Sequence, residues 1–358
     1  MTENTSIEYA TLGRSGLIVS PFCLGTMTFG NDRWGSSDAE ARQIFDRYID
    51  NGGNFLDTAD VYSDGRGEVV LGRFIADLKL RDRIVLATKF TFNPEPGNPN
   101  AGGNGRKNIY RALEGSLRRL GMDYVDLYWM HVWDMITPVE EVLDTLSTLV
   151  REGKIRYYGF SDVPAWYAAR AVTLAQERGG LEPPIALQLE YSLVERSIDR
   201  EHIPAAQELG LGICPWSPLA SGFLSGKYTR EGASSSKGSR LEVLQGSDNP
   251  VFQKFTERNF KILDALQGVA KQVGRPAAQV ALNWVATQPG VTSTILGATK
   301  LKQLEDNLGA LSFEIPPELR QKLDAASALD PAHPYMFFGG VLQGRIRGGV
   351  TVRRWRGE

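Results

Sequence analysis

The sequence predicts an α/β fold, a (β/α)8 barrel with a short N-terminal hairpin, extra helices and a C-terminal tail. Three observations carry that expectation. Eight short β-rich runs occur along the chain, and each is followed by a helix-like pattern. Strands alternating with helices imply a mostly parallel sheet covered by helices, and eight such units favour a closed barrel. An open nucleotide-binding sheet would need a phosphate fingerprint, yet LGTMTFG after the first run is not G-x-G-x-x-G and no Walker sequence occurs.

The elements follow in order. IEYATLGRSGLIVS reads as a β-hairpin around Arg14–Gly16, placed to plug the bottom of the barrel. The strands are expected at Cys23–Thr26, Phe55–Asp57, Ile84–Thr88, Val125–Met130, Ile155–Phe160, Ile185–Gln188, Leu211–Pro215 and Thr294–Leu296. In SSDAEARQIFDRYIDNGG, Ser37–Asp38 form the cap region, Ile44, Phe45, Tyr48 and Ile49 recur at helical spacing, and Gly52–Gly53 end the helix. NIYRALEGSLRRLG and TPVEEVLDTLSTLVREGK follow the same logic. In the second, Thr137 reads as the N-cap, Pro138 as the first turn and Gly153 as the stop. A polar loop, REGASSSKGSRLEVLQGSDNP, and two helix patterns separate the seventh and eighth strands. Nothing reads as an interdomain linker. Residues 1–358 are expected to form one unit, with the barrel at 7–329 and a tail at 330–358.

Composition excludes several classes. The chain has 358 residues, and its net charge of −2 gives no electrostatic reason to expect nucleic acid. The length suits a barrel of roughly 250 residues with insertions. MTENTSIEYATLG lacks the basic and apolar regions of a signal peptide, and no apolar run approaches a membrane span. Cys23 and Cys214 lie in apolar strand-like runs without a neighbouring His or Cys, so they read as structural thiols in a reducing cytoplasm. No metal and no membrane partner is expected.

Chemistry in such a barrel sits at the C-terminal ends of the strands. Asp57 ends the second strand, with Tyr62 in the loop behind it. Lys89 follows the third, His131 the fourth and Ser161–Asp162 the fifth. Gln188 and Glu190 lie at the sixth, Trp216–Ser217 at the seventh. Singly, Asp57 reads as a cap or loop residue, Tyr62 as packing, Lys89 as solvated and His131 as a hydrogen-bonded loop residue. Together, four ionisable groups ending three adjacent strands are costly to desolvate and call for a function. A phenol has a pKa of about 10, too high for proton transfer near neutrality. A lysine cation beside it favours the phenolate, and a carboxylate beside the lysine keeps it charged and placed. A histidine opposite can hydrogen-bond a substrate oxygen. The set suits protonation of a carbonyl oxygen while hydride arrives from a cofactor.

From about Ile7 to about Leu329 the chain resembles the aldo-keto reductases, nicotinamide-dependent (β/α)8 barrels. The resemblance rests on GGNFLDTADVY…GEVVLG, SLRRLGMDYVDLYWMHVWD, GKIRYYGFSD, CPWSPLASGFLSGKY and TILGATKLKQLEDNL. It implies a catalytic tetrad of Asp57, Tyr62, Lys89 and His131. Tyr62 is then the general acid, Lys89 tunes its pKa, Asp57 partners Lys89 and His131 orients the carbonyl. It implies an NADP-dependent alcohol oxidoreductase that reversibly reduces an aldehyde or ketone.

The resemblance also implies a cofactor site. Trp216 would stack on the nicotinamide, with Ser161 and Gln188 at its carboxamide and Thr26, Met27 and Asp57 nearby. Ser217, Pro218, Leu219, Ser221 and Lys227 would hold the pyrophosphate. Gly297, Thr299, Lys300, Gln303 and Asn307 would hold the adenosine end, where a 2′-phosphate can sit at a helix N-terminus. Lys227 and Lys300 also read as solvated surface lysines. Asp162 stands where many members carry asparagine; it accepts but cannot donate, so it serves either the carboxamide or the cap of the following helix. Lys300 and Lys302 stand where many NADP-preferring members carry arginine, which binds phosphate in bidentate fashion. NADP is expected in preference to NAD.

Trp133 and Asp134 follow His131 and are expected to face a small-molecule carbonyl or alcohol substrate, with Met27 and Trp34. In the tail segment DPAHPYMFFGG, Tyr335 and Phe337 belong to an apolar cluster that needs a surface to cover, and the resemblance implies that this segment folds over the barrel mouth. Beyond it lie five arginines, at 345, 347, 353, 354 and 356, against Glu358. They read as a solvated end or a subunit contact in a homo-oligomer. The alternative function is a cofactor-binding regulatory protein with little turnover, as the potassium-channel β subunits that resemble this chain serve membrane proteins.

Overall fold

The protein is described by a computed structural model covering residues 7–31, 34–230, 241 and 250–352. The hairpin forms first. Strands β1 (Ala10–Thr11) and β2 (Ile18–Val19) pair antiparallel. Gly13, with φ +61°, lies so close to the barrel that a Cβ there would sit 2.3 Å from the Ile185 carbonyl oxygen. Only glycine meets both demands. Leu12 and Val19 pack among Cys23, Phe55, Val85, Leu127, Trp129 and Cys214, so the hairpin plugs the barrel as expected.

The eight barrel strands are β3 (Phe22–Gly25), β4 (Phe55–Asp57), β5 (Val85–Phe90), β6 (Val125–Met130), β7 (Ile155–Ser161), β8 (Ala186–Glu190), β9 (Gly212–Trp216) and β10 (Thr294–Leu296). They run parallel in the order β10-β3-β4-β5-β6-β7-β8-β9. The seam between β9 and β10 is stitched by Ile213 N donating to the Gly290 carbonyl at 3.1 Å and Thr292 N donating to that of Ile213 at 2.8 Å. Strand positions match expectation to within a residue or two, save that β5 extends to Phe90, which takes Lys89 into the strand.

The pleat then sorts the side chains. In β5, Val85 and Ala87 face the barrel interior, while Leu86 and Phe90 face the helical layer. Continuing that period of two, Lys89 points inward and Thr88 outward. In β4, Phe55 faces in, and so Asp57 does too. Cys23 and Cys214 are free, buried interior thiols, both pushed up in pKa chiefly by burial and then by the Asp57 charge.

The helices facing the site include α1 (Asp38–Asp50), α2 (Arg66–Asp77), α3 (Arg106–Leu120), α4 (Val139–Arg151), α5 (Ala165–Arg178) and α6 (His202–Leu209). Helix α1 starts with a reciprocal cap: the Ser37 side chain accepts from Glu40 N, and the Glu40 side chain accepts from Ser37 N. Helix α4 corrects an expectation. Pro138 occupies its N-cap without a side-chain bond, while the Thr137 hydroxyl donates to Asp134 at 2.7 Å. The polar loop after β9 lies largely outside the described residues, as do Arg353, Arg354 and Arg356. No helix among the described residues is long and apolar enough to cross a membrane.

Candidate active site

The strand ends bring the expected quartet together. Lys89 is fully buried, and its ammonium is paired with Asp57 Oδ2. It also donates to the Thr58 carbonyl at 2.9 Å and meets Tyr62 Oη at 3.2 Å. Burial alone would lower the Lys89 pKa; the Asp57 carboxylate and Tyr62 outweigh it, so the ammonium is held above its usual value. A buried cation in that position keeps its proton and its place.

The other Asp57 oxygen is also taken. Gln188 Nε2, from β8 across the barrel, donates to Oδ1 at 2.9 Å. This bond is not legible in the sequence, because only closure of the barrel brings β4 opposite β8. Gln188 and Ser161 pair in register at the ends of β8 and β7. Thr26, expected beside the cofactor, is buried, and its hydroxyl donates to the Asp57 carbonyl at 3.0 Å.

His131 lies just past β6, its backbone N donating to the Phe90 carbonyl at 3.1 Å. Its ring stands edge-on to Tyr62 with centroids 5.9 Å apart, and Phe92 packs on it at 4.8 Å. Nδ1 is buried with no hydrogen-bond partner. Burial, then the Lys89 charge, pushes the imidazole well below its usual pKa, so it is neutral. A neutral imidazole still carries one N–H to offer an oxygen.

Asp162 does not cap α5, whose N-cap is Pro164 with no side-chain bond. Its carboxylate accepts from Trp216 Nε1 at 3.2 Å and from the Ser161 hydroxyl at 3.3 Å, and so fixes the plane of the Trp216 indole. Loss of hydration among the strand ends pushes Asp162 up to about 6. The bonds from Trp216 and Ser161 work against that rise, and exposure at the mouth tempers it.

Beyond Trp216 the backbone turns sharply, with positive φ at Ser217, Ala220, Ser221 and Gly222. Pro218 is buried and Leu219 half-buried in this turn. Ser221 Oγ is buried without a partner, and the Lys227 ammonium lies against Gly222. An orphaned hydroxyl, a tight small-residue turn and a cation fit a phosphate-bearing group. At the last strand, Gly297 is exposed, with open space where a Cβ would be. Thr299 N and Oγ1 both donate to Gln303 Oε1, at 2.9 and 3.2 Å, Asn307 is buried, and Lys300 is paired with Glu40 of α1.

Trp133 packs on Trp166 at 5.3 Å and Tyr167 at 5.8 Å. It lines a groove of about 650 Å³ together with Asp162, Leu189, Glu190, His202 and Trp216. Asp134 accepts from Ile136 N and Thr137 N in its own loop and from Asn104 N, at 2.8 to 3.0 Å. Met27 and Trp34 are half-buried at the β3 side of the mouth and do not line the groove.

The tail contacts the start of α6. Tyr335 bonds Glu201, and Arg200 lies over its ring at 5.6 Å. Met336, Phe337 and Phe338 are exposed, and neither Tyr335 nor Phe337 lines the groove. The Tyr335 hydroxyl thus ties the segment to Glu201 at the start of α6. Among the described residues no group of His, Cys, Asp or Glu could hold a metal.

A sequence profile described as "Aldo/keto reductase family" matches residues 21–328. An "Uncharacterized oxidoreductase" of Bacillus subtilis is 36% identical over 89% of this chain and 95% of its own. An "Aryl-alcohol dehydrogenase" of Pestalotiopsis microspora is 35% identical, over 91% of this chain and 84% of its own. A "Probable voltage-gated potassium channel subunit beta" of Oryza sativa is 36% identical, over 91% of this chain and 98% of its own.

Proposed function

The chain belongs to the aldo/keto reductase family, and on that premise we propose that it is an NADP(H)-dependent oxidoreductase that interconverts a carbonyl compound and its alcohol. The observation that carries the reading is the 3.2 Å approach of Lys89 Nζ to Tyr62 Oη inside a buried pair with Asp57.

Tyr62 donates its phenolic proton to the carbonyl oxygen as that oxygen gains charge. Lys89 then faces two anions, the Asp57 carboxylate and the new phenolate, and stabilises both. Asp57, clamped by Gln188, keeps the ammonium in place. Neutral His131 offers an N–H to the same carbonyl oxygen and orients it. A bound nicotinamide supplies the hydride.

The residues that would hold the cofactor follow the same premise. Trp216, locked by Asp162, offers a flat face for the ring, with Ser161 and Gln188 at its edge. Ser217, Ser221 and Lys227 would meet the pyrophosphate. Lys300 and the N-terminus of the helix Leu301–Leu308 favour a 2′-phosphate, hence NADP over NAD.

The rice relative's name supports a second reading, a cofactor-binding partner of a membrane protein with slow turnover. One assay separates the two: oxidation of NADPH by the parent protein with a panel of aldehydes and ketones. Turnover on the order of 1 s⁻¹ or faster with any of them supports the enzyme. NADPH binding without turnover on all of them supports the regulatory reading.

A further inference from the structure

We propose that Glu68 is a positioning residue that holds Tyr62 and Lys89 at their working separation, by joining the turn that carries one to the strand that carries the other. The inference rests on the catalytic reading above.

Glu68 lies in the first turn of α2 and is fully buried, with 0% exposure. Its two oxygens point to two different elements. Oε1 accepts from the Thr88 hydroxyl at 2.6 Å. Thr88 faces the helical layer from β5, and the next residue, Lys89, faces the barrel interior. Oε2 accepts from Arg119 Nε of α3 at 2.7 Å. Arg119 in turn lies beneath the turn that carries Tyr62: a Cβ on Gly65 would meet its Cδ and Nε at 2.7 Å.

That turn needs support. Ser63, Asp64 and Gly65 adopt φ of 51°, 55° and 84° in succession. Non-glycine residues in this region cost on the order of 1–3 kcal/mol each and persist only where the surroundings over-determine them. The Arg119 side chain fills the space under the turn, and Glu68 fixes Arg119. Removing the carboxylate would leave Arg119 without its buried partner and Thr88 without its acceptor. Both ends of the Tyr62–Lys89 contact would then loosen together.

The charged and titratable groups around Glu68 are Asp60, Arg111 and Arg119, with Tyr128 beneath them. None of them reaches the reacting atoms, so Glu68 acts only through the placement of others.

The test uses Glu68→Gln and Thr88→Val in the full chain. The first readout is the ultraviolet tyrosinate titration of the apo protein, taken as the difference from a matched Tyr62→Phe protein, which isolates the Tyr62 phenol. The second is kcat and KM with NADPH and one aldehyde. A Tyr62 phenol less well placed against Lys89 should titrate at least half a pH unit higher. The kcat should fall about tenfold while KM and NADPH binding stay within twofold. Arg119→Lys should retain more of the parent kcat and phenol titration than Arg119→Met. An unchanged phenol titration in folded Glu68→Gln overturns the proposal, because a purely structural glutamate would lower only the melting temperature. Should Glu68→Gln fail to fold, Thr88→Val decides in the same way. Full turnover by Tyr62→Phe would sink the catalytic reading, and the phenol titration would still judge Glu68.

Discussion

Lys89 meets the Tyr62 phenol at 3.2 Å while its ammonium is paired with Asp57. The Thr58 carbonyl completes the shell at 2.9 Å, and Gln188 secures Asp57. The ammonium therefore has oxygen partners in fixed directions and little freedom to drift. With the phenol neutral, one carboxylate balances one ammonium. Ionising the phenol adds a second anion to a cation already in place, which is the arrangement that lowers the cost of giving up the proton.

Asp57→Asn and Tyr62→Phe should therefore fail differently. Tyr62→Phe removes the acid and little volume, so turnover should fall by about 10²–10⁴-fold while the melting temperature and NADPH affinity hold. Asp57→Asn strands a fully buried ammonium, a loss of roughly 3–5 kcal/mol, so both stability and turnover should fall. Thermal melts beside steady-state kinetics distinguish them. An Asp57→Asn protein with the parent melting temperature would contradict the buried pair.

Asp60 makes a pH prediction. Burial, then the neighbouring Glu68, raises its carboxyl to about 7, against the opposing pull of Arg119 and Arg111. Unfolded, it titrates near 4. Between about pH 4 and 7 the native state thus binds more protons than the unfolded chain, and stability falls as pH rises through that window. Asp60→Asn removes this slope. Its melting temperature relative to the parent should climb from pH 5 to pH 8 and level off above that. A constant difference across the series would mean that Asp60 titrates as an ordinary carboxylate.

His131 and the rest of the quartet were legible because strand ends can be read from short apolar runs, and a barrel puts its polar chemistry there. The run Phe55–Leu56 before Asp57 and the run Val125–Met130 before His131 sufficed. The clamp from Gln188 was not legible: residues 131 apart in sequence meet only once the sheet closes. The same holds for Glu68, which looks like a first-turn helix acid until α3 packs Arg119 onto it. Thr137 and Asp162 looked like helix caps because a sequence shows which side chains can cap, while the fold decides which of them has a better partner. Thr137 found Asp134, and Asp162 found Trp216.

Lys300 is engaged before any nucleotide arrives. Its ammonium pairs with Glu40, which also closes the cap of α1. Both partners meet solvent, and exposed pairs contribute at most about 1 kcal/mol. Glu40→Gln keeps a capping side chain and frees the lysine. If Lys300 meets a 2′-phosphate, NADPH should bind up to about fivefold more tightly while NADH changes little. Titrations by quenching of tryptophan fluorescence, for which Trp216 is a natural reporter, measure both. Equal gains for the two nucleotides would exclude a role for Lys300 in choosing between them.

Tyr335 sets the last prediction. It ties the tail to Glu201, next to His202, which lines the groove with Trp133 and Trp216. Met336, Phe337 and Phe338 around it are 49–62% exposed. Removing residues from Pro334 onward should leave NADPH binding and kcat/KM for a small aldehyde within twofold of the parent. A bulky ring ketone, long enough to extend from Tyr62 to the rim, should lose several-fold in kcat/KM, mostly through KM, since the lost contacts are remote from the reacting carbon. Kinetics of the truncated protein on both substrates decide the matter. An equal, large loss of kcat for both would mean that the tail closes during turnover and excludes water as a lid. No change for either would remove the tail from substrate recognition altogether.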